Sequence, residues 1–152
     1  MQDLCEREVV DLHVFLREWL AGALPRTAEA FRRFDGVIGE DFFIVSPRGT
    51  RTERAPLIAE FEGLHGAMVE NAASFEIWVE NYRCHRLIGD HALVTYEEWH
   101  RAGDETSARL STALFGRRDG APCGVEWLHV HETWLPDLAP AGGERFPEQA
   151  TA

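Results

Sequence analysis

The sequence is short of positive charge and of long apolar runs. It holds 15 Lys and Arg against 26 Asp and Glu, which gives a formal net charge of -11. Nucleic acid and anionic membrane surfaces attract basic proteins, so this balance argues against both as partners. No apolar stretch approaches the roughly 20 residues that a membrane-spanning helix needs. The charged N-terminus also lacks the apolar core of a secretory signal, so we expect no membrane association.

Cysteines and catalytic signatures are also scarce. Cys5, Cys84 and Cys123 are scattered along the chain without CxxC spacing. This usage predicts reduced thiols in a cytoplasmic protein and no structural zinc site. The HExxH, GxSxG, Walker and GxGxxG patterns are absent from the sequence. We therefore expect no cofactor, and no motif names a reaction.

What the chain does contain is enough apolar material for one domain. Its 152 residues are 45% apolar and 27% charged, as expected for a globular protein with a packed core. A tail rich in Pro, Ala, Gly and Glu begins at Pro136. We predict a single domain over residues 1–135 and a loose tail over residues 136–152.

The spacing of apolar residues changes from helical to strand-like along the chain. Steps of three and four residues predict helices in the first half, and alternation predicts strands in the second half. The predicted helices cover about residues 3–23, 27–34 and 52–66, with Thr52 as a possible N-cap of the third. The predicted strands cover residues 41–46, 75–87, 91–101, 106–117 and 125–135.

This order predicts an α+β fold. Short connections between the last four strands favour an antiparallel meander, and long strands in an open sheet must twist and curl. We expect the N-terminal helices to pack on this curved antiparallel meander sheet and to enclose a central pocket, which is a common site for small ligands.

Particular residues extend this pattern to a family resemblance. The order of elements resembles the nuclear transport factor 2-like cone, also called the SnoaL-like or cystatin-like fold. Arg117-Arg118-Asp119-Gly120 followed by the strand Trp127–Thr133 is similar to the last hairpin of the association (hub) domain of calcium/calmodulin-dependent kinase. The stretch Phe43–Gly49 resembles small bacterial relatives without an assigned function. The resemblance covers about residues 3–135, and it implies a pocket inside the sheet and a homodimer.

The same resemblance assigns the side chains of the last strand to two faces. It implies that Leu128, Val130 and Glu132 face the pocket, together with Arg109, Ser111, Ala113 and Phe115 of the neighbouring strand. It places Trp127, His129 and His131 on the opposite face, where a second copy of the chain would bind.

Several residues are candidates for chemistry. Glu132 in an apolar pocket could act as a general acid or base, or it could simply pair with Arg109. Tyr96 shares a strand face with Glu98 and His100 and could polarise a carbonyl group, or it could be a packing residue. Three further aromatic residues could line the pocket: Trp19, Phe61 and Trp78.

His129 and His131 project from the same face of a strand and could bind a metal ion if His85 or His100 supplied a third ligand. The alternative is that both histidines pack in a dimer interface, and we expect no metal because a bare His-x-His is a weak pattern.

Three functional hypotheses follow. The chain could bind a small apolar or carbonyl-bearing molecule, which is the leading hypothesis. It could instead be an isomerase, dehydratase or cyclase that uses Glu132, Tyr96 and Arg109. It could also be a homo-oligomeric assembly module.

Overall fold

The computed structural model describes residues 1–140, which form three α-helices and a six-stranded sheet. The helices are α1 (Gln2–Leu20), α2 (Ala28–Asp35) and α3 (Arg54–Gly63). The strands are β1 (Ile38–Val45), β2 (Arg51–Glu53), β3 (Phe75–Ile88), β4 (His91–Ala102), β5 (Glu105–Arg117) and β6 (Val125–Trp134). A short 3-10 helix, Val69–Ser74, precedes β3.

The sheet has the strand order β2-β1-β6-β5-β4-β3. Strands β3 to β6 form the predicted antiparallel meander, and the helices pack on one face of the curved sheet. The predicted α+β class is therefore confirmed. The sheet is mixed, because β1 pairs with β6 in the parallel direction, for example Ile44 beside Val130. This pairing joins the two halves of the chain.

Helix α1 forms because its apolar residues recur on one side. That side buries Cys5, Val9, Leu12, Phe15, Leu16, Trp19 and Leu20. The helix ends at Leu20, three residues earlier than the predicted Ala23. Gly22 has a φ of +73°, a left-handed conformation that L-residues other than glycine seldom adopt. The chain therefore leaves the helical path before the end of the apolar pattern.

The N-terminus of α3 differs from the sequence prediction. Thr52 was predicted to cap the helix, but it lies in strand β2 opposite Ile44, and Glu53 takes the N-cap position. The following residue, Arg54, donates hydrogen bonds to the carbonyl groups of Ile38 and Asp35, at 3.1 Å each. These bonds fix the start of α3 against the entry to β1, which explains why the helix begins later than expected.

The core lies between the three helices and the sheet, and Trp19 lies within it. The Trp19 indole is 1% exposed and donates a hydrogen bond of 2.8 Å to the carbonyl of Phe61.

The start of the predicted tail contacts β5, because the amide of Ala108 donates a hydrogen bond of 3.0 Å to the carbonyl of Leu138. The remainder of that tail, residues 141–152, lies outside the described residues. Within residues 1–140 no helix is long and apolar enough to cross a membrane.

Candidate functional site

A cavity of about 50 Å³ lies between the helices and the sheet. Such a volume holds a few waters or the end of a small organic molecule. Ten apolar side chains form most of its wall: Leu12, Leu16, Phe34, Ile38, Phe42, Ile44, Leu57, Phe61, Trp127 and Val130. Five polar residues complete the lining: His13, Tyr96, Glu98, Arg109 and Glu132. All five are buried, so the polar part of the cavity lies deep in the domain.

Glu98 is the centre of this polar cluster. One of its carboxylate oxygens accepts hydrogen bonds from Arg109 Nη2 at 2.5 Å and from His100 Nε2 at 2.6 Å. The other oxygen lies 3.0 Å from His13 Nε2. Burial alone would raise the pKa of Glu98, but Arg109, His13 and these hydrogen bonds hold it well below its usual range. Glu98 is therefore a carboxylate inside an otherwise apolar domain.

Arg109 connects Glu98 to a second carboxylate. Its Nε lies 3.2 Å from Glu132 Oε1, and its guanidinium lies 5.8 Å from the centre of the Trp134 ring. Burial alone would lower the pKa of Arg109, but the charges of Glu132 and Glu98 raise it instead. Strand register explains the geometry, because Glu98 and Arg109 are direct cross-strand neighbours and Glu132 lies opposite Ser111, two residues along β5.

The two histidines of the cluster carry different charges. Both nitrogens of His13 face acceptors, Val9 O at 2.6 Å and Glu98 Oε2 at 3.0 Å, so each must bear a proton. Burial would lower the pKa of His13, but Glu98 and the Val9 carbonyl raise it. Burial and the neighbouring Arg109 instead lower the pKa of His100. His13 is therefore an imidazolium, whereas His100 is neutral and donates to Glu98.

Tyr96 supplies a neutral hydroxyl beside this cluster. Its ring makes edge contacts with His13, at a centroid distance of 5.3 Å, and with Trp127, at 6.2 Å. Burial and the charges of Glu98 and Glu132 raise its pKa well above its usual value. The phenol therefore keeps its proton and can donate a hydrogen bond to a ligand oxygen.

A second buried ion pair holds α1 in the position that presents His13. Glu8, which has no exposed surface, accepts two hydrogen bonds of 3.0 Å from Arg33 of α2. Glu8 Oε1 also accepts one of 3.0 Å from Trp127 Nε1 of β6. These three bonds connect α1, α2 and β6 at one point. They fix both His13 and Trp127, which line the cavity with their ring centres 6.5 Å apart.

The structure brings together some of the residues proposed from the sequence. Glu132, Tyr96, Arg109, Phe61 and Val130 line the cavity, and the predicted Glu132–Arg109 pair forms. Three other candidates, Trp19, Ser111 and Phe115, are buried in the domain but are not among the residues that line the cavity. Ala113, on the same face of β5, is likewise buried outside the lining.

The assignment of Trp78 to the pocket is wrong. Trp78 is half-buried and stacks on Trp99, its cross-strand neighbour, at a centroid distance of 5.8 Å. Its indole donates a hydrogen bond of 2.7 Å to Glu80. The adjacent Ile77 points into the core instead. The strand alternation therefore places Trp78 on the outer face of the sheet.

The predicted faces of β6 are correct at its C-terminal end and wrong at its start. Trp127 was assigned to the outer face, but it is 2% exposed and lies in the cavity wall, with its ring 4.4 Å from that of Phe115. Leu128 was assigned to the pocket, but it is half-buried outside the core cluster and lies beside Gly39 and Gly116.

An irregularity in the pairing of β5 with β6 causes this inversion. Phe115 pairs with Trp127, whereas the preceding Leu114 pairs with His129, so Leu128 is an extra residue on β6. One extra residue changes which alternate side chains face inward. Trp127, Val130 and Glu132 consequently all face the core, although simple alternation places Trp127 apart from the other two.

His129 and His131 remain on the outer side of the sheet. The His129 Nδ1 donates to the carbonyl of Phe43 at 2.9 Å, and its ring lies 4.2 Å from the Phe43 ring. The side chain of His131 is exposed. Within residues 1–140, no three His, Cys, Asp or Glu side chains are arranged to hold a metal ion.

Sequence reasoning missed the two most important residues of the cluster, His13 and Glu98. The sequence patterns did not mark His13 as a candidate, and they gave Glu98 only as a neighbour of Tyr96 on one strand face. A signal for each was present in the sequence. His13 falls on the same helical stripe as Val9 and Leu16, and Glu98 alternates with Val94 on the inward face of β4.

Comparison with known proteins identifies the family of this domain. The model of the sucrose-6-phosphate phosphohydrolase C-terminal family matches residues 5–136. The chain belongs to this family. Sucrose-phosphatase 2 of Nicotiana tabacum is 25% identical over 133 residues, which cover 87% of this chain and 31% of the relative. Sucrose-phosphatase 1 of the same plant is 26% identical over the same shares. The chain thus spans about a third of the length of these curated relatives.

Solved structures show that this member of the sucrose-6-phosphate phosphohydrolase C-terminal family has the nuclear transport factor 2-like fold. An NTF-2 like protein of unknown function from Pseudomonas aeruginosa is 27% identical with a TM-score of 0.73, covering 87% of this chain and 98% of that one. The CaMKII hub of S. rosetta is 15% identical with a TM-score of 0.56, covering 85% and 95%. The resemblance predicted from the sequence is therefore confirmed for the fold.

Proposed function

We propose that the domain binds a small molecule in the cavity, with the ligand's apolar body against the wall and its polar end at the Glu98 cluster. The observation that carries this proposal is the burial of four charged side chains beside an apolar cavity: His13, Glu98, Arg109 and Glu132. Buried ion pairs seldom stabilise a fold more than apolar residues of the same size would. Apolar pockets with a few convergent polar groups are typical of ligand sites.

The donors around the cavity favour a ligand with a hydrogen-bond acceptor at its polar end. Tyr96 keeps its phenolic proton, and it lies in edge contact with the His13 ring. A carbonyl or hydroxyl oxygen of the ligand would accept from the Tyr96 hydroxyl. Trp127 and Phe61 would contact the apolar part. The proposal concerns the domain that this chain shares with the longer sucrose-phosphatases and does not include phosphate hydrolysis.

Binding is favoured over acid–base catalysis by the state of Glu132. A general base needs a carboxylate that can take a proton from the substrate, but the Glu132 carboxylate is already paired with Arg109 at 3.2 Å. The pair suits electrostatic positioning better than proton transfer. Under the binding hypothesis, replacement of Glu132 by Gln changes ligand affinity, and no turnover is lost.

Filling the cavity tests the proposal. Val130→Phe adds a ring at the cavity wall and is expected to abolish ligand binding. Native mass spectrometry of the purified protein would detect a retained ligand as additional mass, and thermal denaturation with a library of small organic molecules would detect added ones. The matched control is Val10→Phe, because Val10 is 45% exposed on α1. A wild-type protein that neither retains nor responds to any ligand would contradict the proposal, as would equal binding by Val130→Phe.

A second function, homodimer formation, is supported by a groove on the outer face of the sheet. Six residues line this groove: Leu110, Thr112, His129, His131, Glu132 and Thr133. Leu110, in the middle of β5, is 37% exposed and contributes apolar surface to this groove. The fold is also that of the CaMKII hub. The dimer proposed here uses His129 and His131 but not Trp127, because Trp127 lies inside the domain.

A further inference from the structure

The charged groups of the cavity cancel one another. Glu98 and Glu132 each contribute one negative charge, and Arg109 and His13 each contribute one positive charge. Each of these cations lies within 3.2 Å of a carboxylate oxygen. The nearby Glu8–Arg33 pair cancels in the same way. The polar part of the cavity therefore has no net charge.

We propose that the cavity selects uncharged ligands and rejects carboxylates, and that Glu132 sets this selectivity. The inference rests on the proposed small-molecule function and names the class of ligand. It follows from the two acidic and two basic side chains that meet at the cavity and from the pairing of each with an opposite charge.

A carboxylate ligand would add one uncompensated negative charge to this buried cluster. Arg109 already lies between two carboxylates, and His13 already faces Glu98 and the Val9 carbonyl. Neither cation is left over to neutralise a third carboxylate. A buried charge without a partner is strongly disfavoured, so an acid should bind far more weakly than an uncharged molecule of the same shape.

An uncharged carbonyl compound meets no such penalty. Its oxygen can accept a hydrogen bond from Tyr96 while the ion pairs stay intact, and its carbon chain contacts Trp127 and Val130.

Removing one acidic charge from the cluster should reverse the preference for uncharged ligands over carboxylates. In Glu132→Gln the cluster carries one excess positive charge, while the glutamine side chain keeps nearly the same size and shape beside Arg109 Nε. An anionic ligand would then restore neutrality.

Isobutyramide and isobutyrate test this inference, because they have the same shape and differ by one charge. Each would be titrated into the wild-type protein while the indole N–H resonance of Trp127 is followed by NMR. Compounds of this size commonly bind in about the millimolar range, so the titration should reach about 50 mM. The expected result is that the amide binds on the order of tenfold or more tightly than the acid. In Glu132→Gln this ratio should fall by on the order of tenfold or invert.

The matched control is Glu60→Gln, which removes one charge from the exposed side of α3 and should keep the wild-type ratio. Equal binding of acid and amide by the wild-type protein would overturn the inference while supporting the proposed function. An unchanged ratio in Glu132→Gln would overturn the role of Glu132. If neither compound perturbs Trp127, the proposed function fails together with the inference. If Glu132→Gln does not fold, the ratio of amide to acid binding in the wild-type protein still decides whether the cavity prefers uncharged ligands.

Discussion

His13 is a charged side chain that the fold holds almost completely out of water. It is 4% exposed, and its charge depends on the carboxylate of Glu98. Such a pair contributes to stability only while both groups are ionised. A folded-state pKa above the usual value means that the native protein binds the His13 proton more tightly than the unfolded chain does. The stabilisation by the His13–Glu98 pair is therefore fully present below about pH 6.5, the pKa of His13 in the unfolded chain. It is lost as the pH rises through the higher pKa that His13 has in the folded protein.

Replacement of His13 by Gln should make stability less dependent on pH above neutrality. We expect His13→Gln to be less stable than the wild-type protein by on the order of 1–3 kcal/mol at pH 6, because Glu98 loses a charged partner. The difference should shrink steadily as the pH is raised from 6.5. Urea denaturation at several pH values measures the difference.

The control for this experiment is His91→Gln, since His91 is exposed at the start of β4. That variant should follow the wild-type protein at every pH. A constant difference between wild type and His13→Gln across the same range would show that the His13 ring is not charged in the folded protein.

At the scale of elements, the contact between β1 and β6 determines the shape of the cavity wall. The backbone of β1 passes so close to β6 that a Cβ atom on Gly39 would lie 2.9 Å from the carbonyl oxygen of Trp127 and 3.1 Å from Leu128. This approach coincides with the extra residue in β6. The absence of a side chain at Gly39 thus lets the parallel pair form where Trp127 turns inward.

Gly39→Ala should accordingly weaken the domain. The added methyl group must push β1 away from a backbone atom of β6, and we expect a loss of about 1–3 kcal/mol in the free energy of unfolding. Gly63→Ala is the matched control, because a Cβ on Gly63 meets nothing within 4 Å and Ala favours the helix in which it lies. Chemical denaturation of both variants gives the comparison. Equal stability of the two variants would contradict the close approach.

At the scale of the whole molecule, the sheet has one covered face and one open face. The helices cover the face that carries the cavity, whereas the other carries Leu110 and the His129–His131 groove. The proposed dimer would form on this partly apolar open face. The protein's charge of -11 opposes association in general, so a specific contact is required.

Leu110→Arg should convert the proposed dimer into a monomer without unfolding it. A charged side chain in the middle of the contact would be buried without a partner. Size-exclusion chromatography with light scattering measures the molar mass directly. Leu87→Arg is the control, because Leu87 is 58% exposed at the end of β3, away from the groove. A wild-type protein that runs as a monomer would refute the proposed dimer.

Much of this architecture could be predicted from the sequence because it depends on local periodicity. Strand β4 begins at His91 as predicted, and the predicted strand 75–87 differs from Phe75–Ile88 by one residue. Strand β2 and the parallel pairing of β1 with β6 were not predicted. Neither has a local signal, since the β1–β6 contact depends on residues that are 86 positions apart.

The candidate site was predictable only in part, for a related reason. Strand alternation, with its inward face assigned by the family resemblance, correctly placed Val130 and Glu132 inward, because the pairing with β5 is regular at those residues. Alternation failed at Trp127, because the extra residue Leu128 changes which side chains of β6 face inward. The importance of His13 depends on Glu98, 85 positions away on another element, and spacing within one helix could not show that the two side chains meet.

The parallel contact between β1 and β6 also has a consequence for synthesis on the ribosome. Strand β1 has two neighbours in the sheet, the three-residue β2 and the later β6. Until β6 has left the exit tunnel, the edge of β1 that pairs with β6 has no neighbouring strand. Its apolar residues Phe42 and Ile44 then have no finished core to pack into. Nascent chains with unpaired strand edges are prone to aggregate. Chaperone contact is therefore expected to persist until β6 emerges.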